Sequence, residues 1–150
     1  MRVDDLDRLA TIYVRAIESA NVGEHWTVEA AGALLSHWLE RQSDLAFVAL
    51  AEQELIGAFV VGVRPWWDGN HLVDGEFFVA PEHQNKGAGR ALMRAVILAA
   101  KHKYAPVSFE SYTFRAHEYP LDWYKRLGFS EIDEWVMIRA EFETLAGNLS

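Results

Sequence analysis

The sequence predicts an α/β fold: a mixed, mostly antiparallel sheet with helices on both faces and one central strand–glycine loop–helix unit. Three observations predict it. Alternating, β-prone runs in the first half indicate an antiparallel meander, and the flanking segments repeat apolar residues at helical spacing. Residues 72–103 then form a Val- and Phe-rich strand, a loop with Gly87 and Gly89, and an apolar helix with one basic edge. Such a strand–helix crossover after a meander gives a layered mixed sheet.

The individual elements follow in order along the chain. Helices are predicted at residues 4–18, 27–42 and 90–103, with a short one at 121–127 that Gly128 ends. Strands are predicted at residues 45–51, 55–64, 72–79, 106–114 and 134–142, and a tail at 144–150. Asp68-Gly69 marks a hairpin turn between the second and third strands. The third and fourth strands are expected to run parallel, because a helix connects them.

Composition narrows the classes of function. With 150 residues the chain is predicted to be a single domain, 1–150, large enough for a real core. It has no cysteine, which excludes disulfides and thiolate metal sites, and its histidines lack metal spacing, so no metal is expected. A formal charge of −8 argues against a nucleic-acid partner. No leader or membrane-length apolar run is recognised, so a cytoplasmic protein with no membrane partner is expected.

The glycine loop is the strongest candidate for a binding site. Gly87 and Gly89 lie where the central helix begins, and a helix N-terminus presents unpaired N–H groups and a positive dipole end that suit a phosphate. Lys86 and Arg90 add positive charge beside them. A dinucleotide fingerprint is the competing interpretation, but Leu92 replaces its third glycine and the turn after the strand is too long.

Two segments carry a family resemblance. QNKGAG at residues 84–89 resembles the Q/R-x-x-G-x-G/A motif of the GNAT N-acetyltransferases, and WYKRLGF at 123–129 resembles their aromatic-Tyr-x-x-x-Gly-Phe signature. The resemblance implies that acetyl-CoA is the co-substrate, with its pyrophosphate on the loop and its pantetheine arm beside the preceding strand. The cofactor-binding residues implied are Phe78, Val79, Gln84, Asn85, Lys86, Gly87, Ala88, Gly89 and Arg90, with His117 in the place of the family's Asn.

Two residues are candidates for catalysis. The resemblance gives Tyr124 the role of the thiolate-facing tyrosine, which can protonate the departing sulfur. Strand alternation places Glu76 on one face with Asp74 and Phe78, where a carboxylate can take the proton of an amine or attract a cationic acceptor. Glu110 or water remains an alternative base, and a solvated surface charge is the alternative role for Glu76.

These residues predict an N-acetyltransferase. Because the chain has no cysteine, the acetyl group is expected to pass directly to a primary amine, and the acidic balance favours a small cationic one. A non-catalytic acyl-CoA sensor and an enzyme acting on protein N-termini or lysines remain alternatives. The resemblance also allows a homodimer.

Overall fold

The structure is a computed structural model that describes residues 1–115 and 118–149, except for the side chains of Asp74, Glu118 and Tyr119. The chain divides into two compact units, Met1–Thr113 and Phe114–Ser150, and each is described by itself. The prediction of one domain over 1–150 therefore stays a prediction.

The first unit contains three α-helices and a four-stranded sheet. In chain order these are α1 (Leu6–Ala20), α2 (Val28–Arg41), β1 (Ala46–Ala51), β2 (Glu54–Trp66), β3 (Gly69–Val79), α3 (Ala88–Tyr104) and β4 (Ser108–Glu110). Short 3-10 turns cover Val3–Asp5, Ser43–Leu45 and Pro81–His83. Thr27 caps α2 as its sequence position indicates, since its hydroxyl accepts the Ala30 N–H at 3.1 Å.

The sheet has the order β1-β2-β3-β4. The first three strands are antiparallel, and β4 pairs in parallel with β3 after the chain has crossed through α3. Both the mostly antiparallel sheet and the parallel crossover are thus confirmed. The hairpin turn lies at Trp67 and Asp68, between β2 and β3.

Helices cover both faces of this sheet. On one face α1 and α2 bury Leu9, Tyr13 and Leu35 against Phe78 and its cross-strand partner Ala58. On the other face α3 approaches so closely that a Cβ at Gly89 would lie 3.1 Å from the ring of Phe77. Because neighbouring strand residues point to opposite faces, Phe77 faces α3 and Phe78 faces α1 and α2.

A β-bulge interrupts β3 in its middle. Val60 of β2 pairs with Glu76 and Gly62 pairs with Val73, so Val61 alone faces the two residues between. Gly75 is one of them: its φ is +94°, and a Cβ there would lie 1.9 Å from the Val60 carbonyl oxygen. Only glycine fits this position.

The fourth strand is shorter than the sequence predicts. A strand was expected at 106–114, but β4 is limited to Ser108–Glu110, and its ladder with β3 ends at the pair Val73–Glu110. The physical reason is the bulge, which bends a strand and breaks its pairing just beyond Val73. β3 and β4 therefore separate halfway along β3.

The second unit contains α4 (Glu118–Arg126) and α5 (Phe142–Leu149). Gly128 follows α4 with a φ of +99° and donates its N–H to the Lys125 carbonyl, which confirms its predicted role as a helix end. Two predictions are wrong here: residues 134–141 form no strand, and most of the expected tail at 144–150 is helical. Residues 134–141 have the composition of a strand, but a strand also needs hydrogen bonds to a neighbouring strand, which composition does not specify.

Candidate active site

The glycine loop has the geometry of an anion cradle. Gly87 precedes α3 with a φ of +91°, and its carbonyl accepts the first intrahelical N–H, that of Ala91, at 3.0 Å. The amides of residues 88–90 therefore precede the hydrogen-bonded part of the helix, at the positive end of its dipole. Lys86 and Arg90 are both exposed beside this turn. The arrangement fits a phosphate group.

The two loop glycines have different surroundings. A Cβ on Gly87 would meet no atom within 4 Å, so the space in front of this residue is open. Gly89 instead faces the sheet, where Phe77 lies 3.1 Å from the position of a Cβ. The sequence assigns both glycines to the approach of a phosphate, whereas this geometry makes Gly89 a close helix–strand packing position as well.

Side-chain and backbone hydrogen bonds brace the loop. The Gln84 amide donates to the Val79 carbonyl at 3.0 Å, which ties the loop to the end of β3. The His83 N–H donates to the Ala80 carbonyl at 2.8 Å within the intervening turn. Gln84, which the motif suggests as a cofactor contact, thus also has a structural role. Asn85 takes a left-handed conformation, with a φ of +59°.

The end of β3 lies beyond the reach of β4. Because the parallel ladder stops at Val73 and Glu110, it does not extend to Phe78 and Val79. On the other side these two residues pair with Ala58 and Gly57 of β2. The strand end that leads into the glycine loop is therefore where an extended ligand can lie along the sheet.

Glu76 meets a tyrosine that the sequence does not single out. The Tyr13 hydroxyl donates to the Glu76 carboxylate at 3.0 Å. Tyr13 is 4% exposed, and its ring stands edge-on to Phe78 at 5.1 Å and to Trp26 at 5.3 Å. Burial, and then the negative charge of Glu76, raise the pKa of Tyr13 well above its usual value, so the phenol stays protonated.

The bulge decides which face carries Glu76. With regular alternation Glu76 would share a face with Leu72, whose pairing partner Phe109 stacks against Phe59 on the α3 side. The extra residue in β3 reverses the alternation, so Glu76 lies with Phe78 on the side of α1. The prediction that Glu76 and Phe78 share a face is confirmed. The side chain of Asp74 lies outside the part of the chain that the structure describes.

A second polar cluster occupies the other end of β3. His71 is 6% exposed, and its ring nitrogens contact Asp68 at 2.8 Å and Glu110 at 2.5 Å. Arg64 donates to the other oxygen of Glu110 at 2.6 Å. Both oxygens of Glu110 are thereby engaged in ion pairs.

Comparisons with known proteins identify the family. The model of the Acetyltransferase (GNAT) family matches residues 7–129. The chain belongs to the GNAT acetyltransferase family. No curated protein sequence matches it. A GNAT acetyltransferase takes its acyl group from acyl-CoA, so the prediction of an acyl-CoA-dependent acetyltransferase is confirmed, whereas transfer to an amine stays a prediction.

Solved structures show the same fold as this GNAT chain. A "possible acetyltransferase" from Clostridium difficile 630 has a TM-score of 0.76 at 17% identity, with 94% of this chain and 93% of that one covered. A "predicted acetyltransferase with acetyl-CoA" from Clostridium acetobutylicum has a TM-score of 0.70 at 15% identity, covering 93% and 92%. A "probable acetyltransferase" has 0.73 at 20% identity, covering 95% of each chain.

The second GNAT signature lies in the second unit. Tyr124 is half-buried on α4, with its ring 5.2 Å from those of Trp123 and Phe129. The predicted role of Tyr124 at the thiolate stays a prediction. His117 lies outside the described residues.

No cluster of His, Asp or Glu among the described residues could hold a metal ion. None of the helices in that part of the chain is both long and apolar enough to cross a membrane.

Sequence reasoning missed Tyr13, Gly75 and the role of His71. A glycine inside a strand pattern is a known sign of a bulge and could have revealed the reversal at Gly75. Tyr13 is 63 residues from Glu76, and it fits the apolar face of α1 equally well as a plain core residue. No local pattern connects such a pair.

Proposed function

We propose that this chain is an N-acetyltransferase that moves the acetyl group of acetyl-CoA directly to a primary amine, most suitably a small cationic amine. The single observation that carries the proposal is the Glu76 carboxylate, held by Tyr13 on the strand that leads into the glycine loop. A candidate base and a candidate phosphate cradle then lie on one continuous segment of chain.

The residues of the loop fit acetyl-CoA. Open space at Gly87, the amides of residues 88–90 at the start of α3, and the exposed charges of Lys86 and Arg90 suit a pyrophosphate. Phe78 and Val79, beyond the β4 ladder, suit the pantetheine arm and a backbone contact to the carbonyl oxygen. The structural neighbour solved with acetyl-CoA supports the same assignment.

The proposed chemistry needs two proton transfers. Acetyl-CoA, when bound, supplies an activated thioester carbonyl. The Glu76 carboxylate takes the proton of the amine, directly or through water, as the nitrogen–carbon bond forms. As the carbon–sulfur bond breaks, Tyr124 donates a proton to the sulfur, a role that rests on the family resemblance. Without cysteine no cysteine-linked intermediate arises, so both substrates bind together.

The acidic residues around Tyr13 support a cationic acceptor. Glu24 lies in the link between α1 and α2, where its carboxylate accepts the indole N–H of Trp26 at 2.7 Å. Trp26 in turn packs against Tyr13, the partner of Glu76. Two carboxylates and an aromatic ring are groups that attract an ammonium ion.

The test is acceptor-dependent release of free CoA across a panel of polyamines, aminoglycosides and peptides with free N-termini or lysines. Release is expected with small cationic amines. Glu76→Gln should lower kcat/KM for the amine by at least about tenfold, a cautious bound below the ~10²–10⁴-fold that a general base typically contributes. Its affinity for acetyl-CoA should stay unchanged.

Glu54→Gln serves as the control, because this exposed carboxylate of the same sheet pairs with Arg8 at 3.5 Å. Acetyl-CoA binding without release for any amine would replace the proposal by an acyl-CoA sensor. Release with peptides alone would replace the small amine by a protein acceptor.

A further inference from the structure

The contact between Tyr13 and Glu76 joins the first helix to the central strand. The Tyr13 hydroxyl is the only polar atom of a side chain that is 4% exposed, and it points at the Glu76 carboxylate 3.0 Å away. Phe78 and Trp26 hold the ring edge-on from two sides. The direction of the hydroxyl is therefore set by packing as well as by the hydrogen bond itself.

A second tyrosine–carboxylate contact in this chain has the same arrangement. The Tyr104 hydroxyl donates to Asp44 at 2.6 Å. Burial alone would raise the pKa of Asp44, but hydrogen bonds from Lys103, Tyr104 and Gln42 lower it to about 2. A donor that binds the ionised form of a carboxylate favours that form.

We infer that Tyr13 is a positioning residue for Glu76: its hydroxyl fixes the orientation of the carboxylate for the acceptor amine through a hydrogen bond that the ionised carboxylate accepts. The inference rests on the proposed function of Glu76 as base or anchor. Tyr13 touches neither substrate in this scheme and acts only through Glu76. Because Tyr13 remains protonated, it can donate to the carboxylate but cannot itself take the amine proton.

A consequence for the pH dependence follows. Without the phenol donor, the Glu76 carboxylate is easier to protonate. As the pH is lowered, Glu76 therefore stops acting as a base at a higher pH than in the wild type. The acidic limb of the kcat/KM profile should move upward by about one pH unit, the scale of one hydrogen bond to a charged group. Activity should fall about tenfold on the acidic side and less at high pH.

The experiment compares Tyr13→Phe with Tyr104→Phe, using the best amine of the panel. Both variants remove one hydroxyl donor to a carboxylate and keep the ring. Tyr13→Phe should shift the acidic limb and leave acetyl-CoA affinity unchanged, whereas Tyr104→Phe should leave the limb in place. In a Glu76→Gln background the Tyr13→Phe change should have almost no further effect, because the pair acts as one unit.

The outcomes separate this inference from the proposed function. A wild type that releases no CoA with any amine overturns the proposed function. An active wild type with an unshifted limb in Tyr13→Phe, or with equal losses at every pH, overturns the positioning role alone. If Tyr13→Phe does not fold, a fluorinated tyrosine at position 13 decides: it keeps the ring and the hydroxyl but is a stronger hydrogen-bond donor, so the acidic limb should move to lower pH, and an unmoved limb overturns the positioning role.

Discussion

Gly87 and Gly23 form a natural pair for comparison at the scale of single residues. Both have a left-handed backbone, with φ of +91° and +81°, and a Cβ on either would meet nothing within 4 Å. They differ in place, since Gly87 begins the glycine loop and Gly23 lies in the link between α1 and α2. A side chain therefore brings the same backbone strain to both, but only at Gly87 does it occupy the proposed phosphate site.

Gly87→Ala is accordingly expected to weaken CoA binding by at least about tenfold, because the added methyl keeps the phosphate from the backbone amides. Gly23→Ala should cost similar stability, of the order of 1 kcal/mol, and leave CoA affinity unchanged. Calorimetric titration with CoA and thermal unfolding of both variants provide the check. Equal affinities in two folded variants would rule out the phosphate cradle.

The candidate site could be predicted from sequence only where its residues are adjacent in the chain. The loop at 84–89 is a contiguous motif, so its place and its charges were predictable. Tyr13 was not, because its contact with Glu76 depends on how α1 crosses the sheet, which no spacing encodes. Glu76 lies between these cases: it was predicted on the correct face with Phe78, although the reversal at Gly75 was not foreseen.

At the scale of elements, β3 is fastened to β4 at its beginning, whereas its end extends beyond the β4 ladder. Its beginning is joined to β4 and to the hairpin by His71, which contacts Asp68 and Glu110, with Arg64 on the far side of Glu110. Its end is paired with β2 and lies beyond the β4 ladder. The cluster around His71 therefore fastens the paired parts of β3 and β4, and the bulge just beyond Val73 sets the point at which the two strands separate.

Protonation of His71 is expected to strengthen this fastening. Burial alone would lower the pKa of His71, but the hydrogen bonds and charges of Asp68 and Glu110 outweigh it and raise the pKa above 6.5. The stabilisation is fully present below about pH 6.5, the unfolded value, and is lost as pH rises through the folded pKa. His71→Gln should therefore lower the Tm more at pH 6 than at pH 8.

His102→Gln, on the exposed side of α3, is the matched control and should change the Tm equally little at both pH values. Thermal unfolding at the two pH values measures the difference. A His71→Gln penalty that is the same at pH 6 and pH 8 would contradict a charged His71 in the folded protein.

Elements were predictable from sequence where an apolar pattern occurs together with a pairing strand that is close in the sequence. The meander of β1, β2 and β3 meets both conditions, because each strand pairs with its neighbour along the chain. Residues 134–142 meet only the first, and no strand forms there. Their composition indicates a strand, but pairing depends on a partner far away in sequence.

At the scale of the whole molecule, a small basic cluster opposes a negative field. The net charge is −8, and an anionic ligand approaches such a protein against its overall repulsion. Within the described residues neither Lys86 nor Arg90 takes part in an ion pair, and both are exposed beside the start of α3. These two cations are therefore available to a ligand at the loop.

CoA binding should weaken as salt is added, because exposed charge pairs are screened over about 8–10 Å at ordinary ionic strength. The double variant Lys86→Gln/Arg90→Gln should bind less tightly and show a flatter salt dependence. Arg41→Gln/Lys101→Gln removes the same net charge from exposed positions outside the loop and should keep the wild-type slope. Identical slopes in both double variants would show that the general field, and not the loop cations, governs binding.

The bulge at Gly75 has a consequence for the comparison of related chains. Because one added residue exchanges the two sides of a strand, the second half of β3 is one step out of phase with the first. A relative without the bulge must carry its carboxylate one position earlier or later in order to present it to α1. An ungapped alignment anchored on the first half of β3 would then match Glu76 with a residue of the opposite side. A missing acid in that column is therefore no sign of a missing base until the glycine has been placed.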